Sequence, residues 1–231
     1  MMNKAKKWLT SIAAVVLLSA YQVCGATDIQ QLVHDTQRSA QSGGQLSMVW
    51  WIPQEFWRVS LSNNPNVTEE SRNQLLGALE DYQVFVLVRA KTSVVGLTEV
   101  QSKEDLLSHS QFLLDGRTID PIPADKLTPG AQTVLASLKP ALAGMLGPMG
   151  QAMQIIVYPS KRDGVRITDP NIAGGFQYAL YDQSFTWRLP IASLLANKID
   201  PKTHDEFPGD YLYNPYTGTK LIAKPSSEVS K

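Results

Sequence analysis

The chain has 231 residues, 43% of them hydrophobic and 18% charged, with 21 basic residues against 21 acidic. That composition is globular and long enough to bury a sizeable core, and the lack of a basic excess argues against nucleic acid as a partner. One cysteine, Cys24, excludes a disulfide framework.

The N-terminus has three parts. Lys4, Lys6 and Lys7 form a basic patch, an apolar run extends from Trp8 to Ala20, and Cys24-Gly25-Ala26 places small residues before a cut after Ala26. This is the pattern of a secretory signal peptide over residues 1–26. The apolar run falls short of the ~20 residues of a comfortable span. An uncleaved anchor is the rival reading. A lipoprotein anchor at Cys24 would need small residues where Tyr21-Gln22-Val23 stand. Cleavage removes three lysines and the cysteine, leaving 18 basic against 21 acidic residues and a formal charge of −3. The expectation is an exported, periplasmic protein with no stable membrane span after cleavage, folding without disulfides.

Asp28 to Gln41 reads as a helix with Ile29, Leu32, Val33 and Thr36 on one face, ended by Gly43-Gly44. Leu46 to Ile52 reads as a strand stopped at Pro53. Gln54 to Leu61 is a short helix or an irregular turn, and Asn63-Asn64-Pro65-Asn66 a loop. Thr68 caps a helix whose apolar face holds Leu75, Leu76 and Leu79. Gln83 to Ala90 is a strand, joined through Lys91-Thr92 to an antiparallel neighbour over Ser93 to Val100. Ser102 caps a short helix through Leu107, and Gln111 to Leu114 is a short strand ending at Asp115-Gly116. Asp120-Pro121-Ile122-Pro123 is extended. Thr128 caps a helix with Pro129 at its first position, and Pro140 is expected to kink or stop it near Lys139. Gln154 to Tyr158 and Val165 to Thr168 flank the hairpin signal Asp163-Gly164. Phe176 to Tyr181 and Ser184 to Leu189 form another hairpin turning at Asp182-Gln183, and Pro190 opens a last short helix through Leu195.

Hairpins dominate and strict strand–helix alternation is missing, so the fold class is α+β, a mainly antiparallel sheet packed with several helices. The domain spans 27–197, and a tail follows over 198–231.

Two stretches stand out as contact surfaces. Trp50, Trp51 and Trp57 lie within eight positions, beside Glu55 and Arg58. In a strand Trp50 and Trp51 point to opposite faces, so one enters the core and the other needs a second layer, a ligand or a partner. Burial of all three is the commoner fate of large aromatics. Between Pro140 and Met153, glycines alternate with Met145, Met149 and Met153, a pattern for an adaptable lid or partner groove, or for methionines filling core gaps. The three histidines, His34, His109 and His204, lack a metal-ligand spacing and read as solvated surface residues. Neither a Gly-x-Ser-x-Gly elbow nor a phosphate-binding loop is present. Asp115, Asp120, Asp163 and Asp169 sit at turns, as hairpins require.

In the tail, Asp200-Pro201-Lys202-Thr203 is followed by Tyr213-Asn214-Pro215-Tyr216-Thr217-Gly218-Thr219-Lys220-Leu221. About 200–221 resembles a zinc ribbon, whose two Cys-Pro-x-Cys knuckles are joined by a short connector. Asp200, Thr203, Asn214 and Thr217 occupy the four cysteine positions, so the resemblance implies ribbon-like knuckles without their metal ligands. The expectation is no zinc and no cofactor, with short polar side chains bonding backbone amides in its place.

The functional expectation is a non-enzymatic binding or accessory protein of the cell envelope, meeting a protein or small-molecule partner through 50–58 or 144–153. The alternatives are a hydrolase with carboxylates in a tryptophan-lined cleft and a purely structural envelope component.

Overall fold

The computed structural model describes residues 29–224 except 63, 64, 66 and 95; residues 1–26, where a signal peptide is expected, lie outside the described residues. Among them the chain forms six helices and several antiparallel sheets, an α+β fold. Helix α1 (Ile29–Thr36) keeps the predicted apolar face but ends five residues before the expected stop. Gln37–Ser42 is instead strand β1, paired with β2 (Gln45–Ile52). Gly43 and Gly44, with φ of 57° and 77°, are the two central residues of a tight hairpin. Positive φ at both positions is what such a turn demands, so Gly-Gly marks a hairpin here and not a helix end.

Helices α2 (Gln54–Ser62) and α3 (Glu69–Leu79) follow, the latter capped by the Thr68 hydroxyl, which accepts from the Ser71 amide at 3.2 Å. Strand β3 (Tyr82–Ser93) is the centre of the large sheet. It pairs with β2 along one side, and with β4 (Gly96–Thr98) and β7 (Gln154–Pro159) along the other. Lys91 and Thr92 therefore lie within β3, and the turn to β4 comes later than expected. Helix α4 (Lys103–Ser108) leads to β5 (Ser110–Leu114) and β6 (Arg117–Ile119). Helix α5 (Pro129–Leu146) continues past Pro140, so it does not stop near Lys139. Helix α6 (Pro148–Ala152) precedes β7. The short pair β8 (Lys161–Arg162) and β9 (Val165–Arg166) flanks Asp163-Gly164. Strands β10 (Gly174–Leu180) and β11 (Gln183–Leu189) join β5 and β6 in a second sheet, turning one residue early, at Tyr181-Asp182.

The layers explain the tryptophans. One face of the large sheet packs on the second sheet: Phe85 meets Phe112 and Tyr178, and Trp51 meets Phe176 edge-on at 4.8 Å. The hydroxyls of Tyr158 and Tyr178 satisfy each other between the sheets at 2.9 Å. The other face is covered by helices, and Trp50 stands edge-on to Phe56 of α2 at 5.3 Å. With a layer on each side, opposite-facing neighbours on one strand are both core residues. Among the described residues no helix is long and apolar enough to cross a membrane.

The tail forms its own small sheet from β12 (Lys198–Ile199), β13 (Glu206–Phe207) and β14 (Ile222–Ala223). A Cβ on Gly209 would lie 2.4 Å from Leu195 Cβ and 2.5 Å from Ala196 O, so glycine is needed where the tail closes on the chain before it.

Candidate functional site

The residues singled out in the sequence do not form an open surface. Trp50, Trp51 and Trp57 are buried, the three at 4% exposure or less. Glu55 is buried beside them and accepts from Arg166 through both oxygens, at 2.8 and 3.1 Å. That bond, together with the charge of Glu55, outweighs the burial that opposes it and holds the Arg166 guanidinium above its ordinary value. Arg58, exposed, reaches Glu55 at 3.4 Å. The segment ties α2 to the β8–β9 hairpin and is a piece of core with an ionic lock, because its strand is sandwiched. Met149 packs partly buried against the core and Met153 is buried within it. Met145 lies in α5, and its side chain falls outside what the structure describes. The turn aspartates stay apart: Asp115 and Asp163 hold positive φ in their turns, and Asp169 accepts from the Asn171 amide at 2.9 Å. Among the described residues no three of His, Cys, Asp and Glu gather as a metal site would need.

Two concave places emerge that the sequence did not announce. The first is a groove of about 770 Å³ along the outer edge of β7. Helix α4 contributes one wall through Leu107, helix α5 the other through Leu135 and Ala136, and the Pro121–Pro123 segment closes one end. Its lining is mostly apolar. Lys103 and Lys139 stand one on each wall, with Glu104 as the acid in the lining. Burial lowers the Lys103 ammonium from its ordinary value, Glu104 partly offsets this, and the Lys139 charge lowers it further. A pocket of this size and character is what small ligands and peptide segments occupy.

The second place lies where β3, α4 and the β10–β11 turn converge. Tyr181, at φ 54°, takes a backbone conformation that favours glycine. It is held there from three sides: His109 stacks on its ring at 4.4 Å, Arg89 lies over it at 4.8 Å, and its hydroxyl donates to Asp105 at 2.6 Å. Burial, and the hydrogen bond and charge of Asp105, push the phenol up to about 12, against the opposing charge of Arg89. Arg89 also pairs with Asp182 at 3.1 Å. Each of these groups is engaged with another, so the cluster clamps the hairpin to the central sheet. His109 is exposed, as expected, and its stacking on Tyr181 is the part the sequence reading did not contain. The Asp105–His109 spacing of four on a helix was the available signal.

The tail gathers its polar side chains around one carboxylate. Asp200 Oδ1 accepts from the amides of Lys202 and Thr203 at 2.8 and 3.3 Å, and Oδ2 from Asn214 Nδ2 and Thr217 Oγ1 at 2.6 and 3.2 Å. Asn214 Oδ1 in turn accepts from the amides of Tyr216 and Thr217 at 2.9 and 3.3 Å. Solvent does not reach Asp200, and Asn214 is almost as enclosed. Burial pushes the Asp200 carboxyl up, but the four donors outweigh it and hold it below the usual carboxylate range. On the outside of this turn Leu212, Tyr213 and Tyr216 are exposed, at 65%, 56% and 88%.

Comparison with known proteins returns nothing: no family model matches the chain, and neither a curated protein nor a solved structure matches it.

Proposed function

We propose that this is an exported, non-enzymatic binding or accessory protein of the cell envelope, and that the groove between α4, α5 and β7 is its contact surface. The export step rests on the basic, apolar and small-residue order of the first 26 residues. The observation that carries the binding step is the groove itself: an apolar trough with two lysines at its walls and a strand edge along it. The groove lining holds one acid, Glu104, where paired-carboxylate chemistry would need two, which favours holding a partner.

An apolar anionic dye, anilinonaphthalene sulfonate, tests the groove directly. The protein is expected to bind it saturably, and Ala136→Trp, which fills the trough from an exposed position, should weaken binding about ten-fold with an unchanged melting temperature. A control change at the remote exposed Val165, Val165→Ser, should leave binding as it was. Dye binding indifferent to Ala136→Trp would remove the groove as the surface.

A second reading, a component of a larger envelope assembly, is favoured by the exposed Leu212, Tyr213 and Tyr216, since tyrosines on a braced turn are typical anchors at protein interfaces. We also propose that the tail is a pair of ribbon-like knuckles in which hydrogen bonds to Asp200 and Asn214 stand where a metal would. The paired change Tyr213→Ser with Tyr216→Ser should then reduce recovery of the protein in envelope complexes on native gels while sparing dye binding. Unchanged complexes would argue against the assembly reading.

A further inference from the structure

We propose that the groove takes an extended peptide, which adds as a strand to the outer edge of β7 and sets a carboxylate between Lys103 and Lys139. The inference rests on the reading of the groove as contact surface and names what it holds.

The backbone makes the first half of the case. Among the described residues strand β7 pairs with one strand, β3. On its other side the carbonyl of Val157 accepts from the Ile122 amide at 2.7 Å. Val157 therefore turns its peptide groups away from β3. In an antiparallel pair this alternates, so the N–H and C=O of Ile155 also point outward, into the groove. Pro121 and Pro123, lacking amide hydrogens, end the strand-like contact after the one bond from Ile122. Among the described residues, what remains is an edge with no partner for the N–H and C=O of Ile155, which is the element that strand-adding recognition uses. Leu107, Leu127 and Leu135 flank it and offer apolar surface to alternate side chains of an added strand.

Charge makes the second half. Lys139 donates to the neutral Gln154 side chain at 3.0 Å, at the start of β7. Among the described residues neither Lys103 nor Lys139 has a carboxylate within ion-pair distance, and Lys103 is half-buried. Two cations at one end of an apolar trough complement an apolar segment that ends in, or carries, an acid. A fatty acid has the same head and tail, but it cannot meet the backbone pair at Ile155. The peptide uses both features.

The probe is an acetylated peptide of alternating valine and threonine with a free C-terminal carboxylate, titrated into the purified protein by calorimetry and amide NMR. Its twins are the C-terminal amide, a form N-methylated at alternate residues, and dodecanoate. The free acid is expected to bind, shifting the Ile155 amide. The amide twin should bind about three-fold to ten-fold more weakly, and Lys139→Gln should impose that same loss on the acid and none on the amide twin. N-methylation on the pairing edge should cost at least about ten-fold. Binding that tolerates N-methylation, or dodecanoate binding as well as the peptide, would overturn the strand and leave an apolar-anion site. Peptides that fail where the dye still binds would overturn it too, with the contact surface intact. Failure of dye and peptides alike would remove both.

Discussion

Asp200→Ala should open the tail while leaving the main domain folded. Four donors converge on this carboxylate, two backbone amides and two side chains, and alanine takes this acceptor from all four, leaving Thr217 the Thr219 hydroxyl at 3.0 Å. Among the described residues of the tail the buried apolar side chains are few, Phe207 and Leu221. The amides of Lys202, Thr203, Tyr216 and Thr217 are expected to exchange at rates approaching an unstructured chain. Limited proteolysis should cut first between 200 and 221. Asp200→Asn keeps the shape but replaces a charge-assisted acceptor with a neutral one and adds a donor facing donors, so it should open the tail partway. The same carboxylate sets a pH dependence. Its folded pKa lies below the ordinary carboxylate value, so its stabilisation is fully present above that ordinary value and is lost as pH falls through the lower, folded one. Tail protection should be flat near neutrality and decline only in acid. A tail that resists protease in the alanine variant would show that something other than this network holds it.

Trp51→Ala is the second large effect, and it strikes the main domain. Trp51 is fully enclosed, stands edge-on to Phe176, and donates its indole N–H to Gln83 Oε1 at 3.0 Å. Truncation removes the ring from the inter-sheet core, leaves a cavity that strands on two sheets cannot close, and strands the Gln83 oxygen. Such substitutions cost about 3–5 kcal/mol, a large share of the ~5–15 kcal/mol total of a domain. Trp51→Phe retains an aromatic edge contact and should cost about 1–2 kcal/mol through the lost hydrogen bond and reduced volume. The denaturant midpoint reads both. A loss below about 1 kcal/mol for the alanine variant would mean that the sheets are not packed through this ring.

Local rules carried much of the fold. The caps Thr68, Ser102 and Thr128 begin helices where expected, because a short polar side chain bonding an amide three residues on is encoded within one turn. The misreadings share a cause: two structures compatible with the same residues. Gln37 to Gln41 continue a helical pattern on paper, and only pairing with β2 makes them a strand. Pro140 can break a helix or sit inside one, and the flanking apolar stripe packed against the core decided for the latter. The candidate site was less legible. The 50–58 cluster read as either surface or core because a sequence does not say how many layers cover a sheet. The groove was hidden because its parts, Lys103, Pro121 to Pro123, Lys139 and Ile155, come from four separated segments. The tail was different: its resemblance to a zinc ribbon grouped Asp200, Thr203, Asn214 and Thr217, and the side chains of Asn214 and Thr217 donate to Asp200.

Thr36 sits where the two apolar compartments touch. Its hydroxyl donates to the Leu32 carbonyl and accepts from the Trp50 indole at 3.2 Å, while its own carbonyl accepts from the Trp187 indole at 3.0 Å. Trp50 belongs to the helix-covered side and Trp187 to the second sheet, so a single rivet at the α1–β1 joint fastens both halves of the molecule. The two halves of the main domain are therefore expected to melt in one transition, with both indoles leaving their partners together, which tryptophan fluorescence would read as a single step.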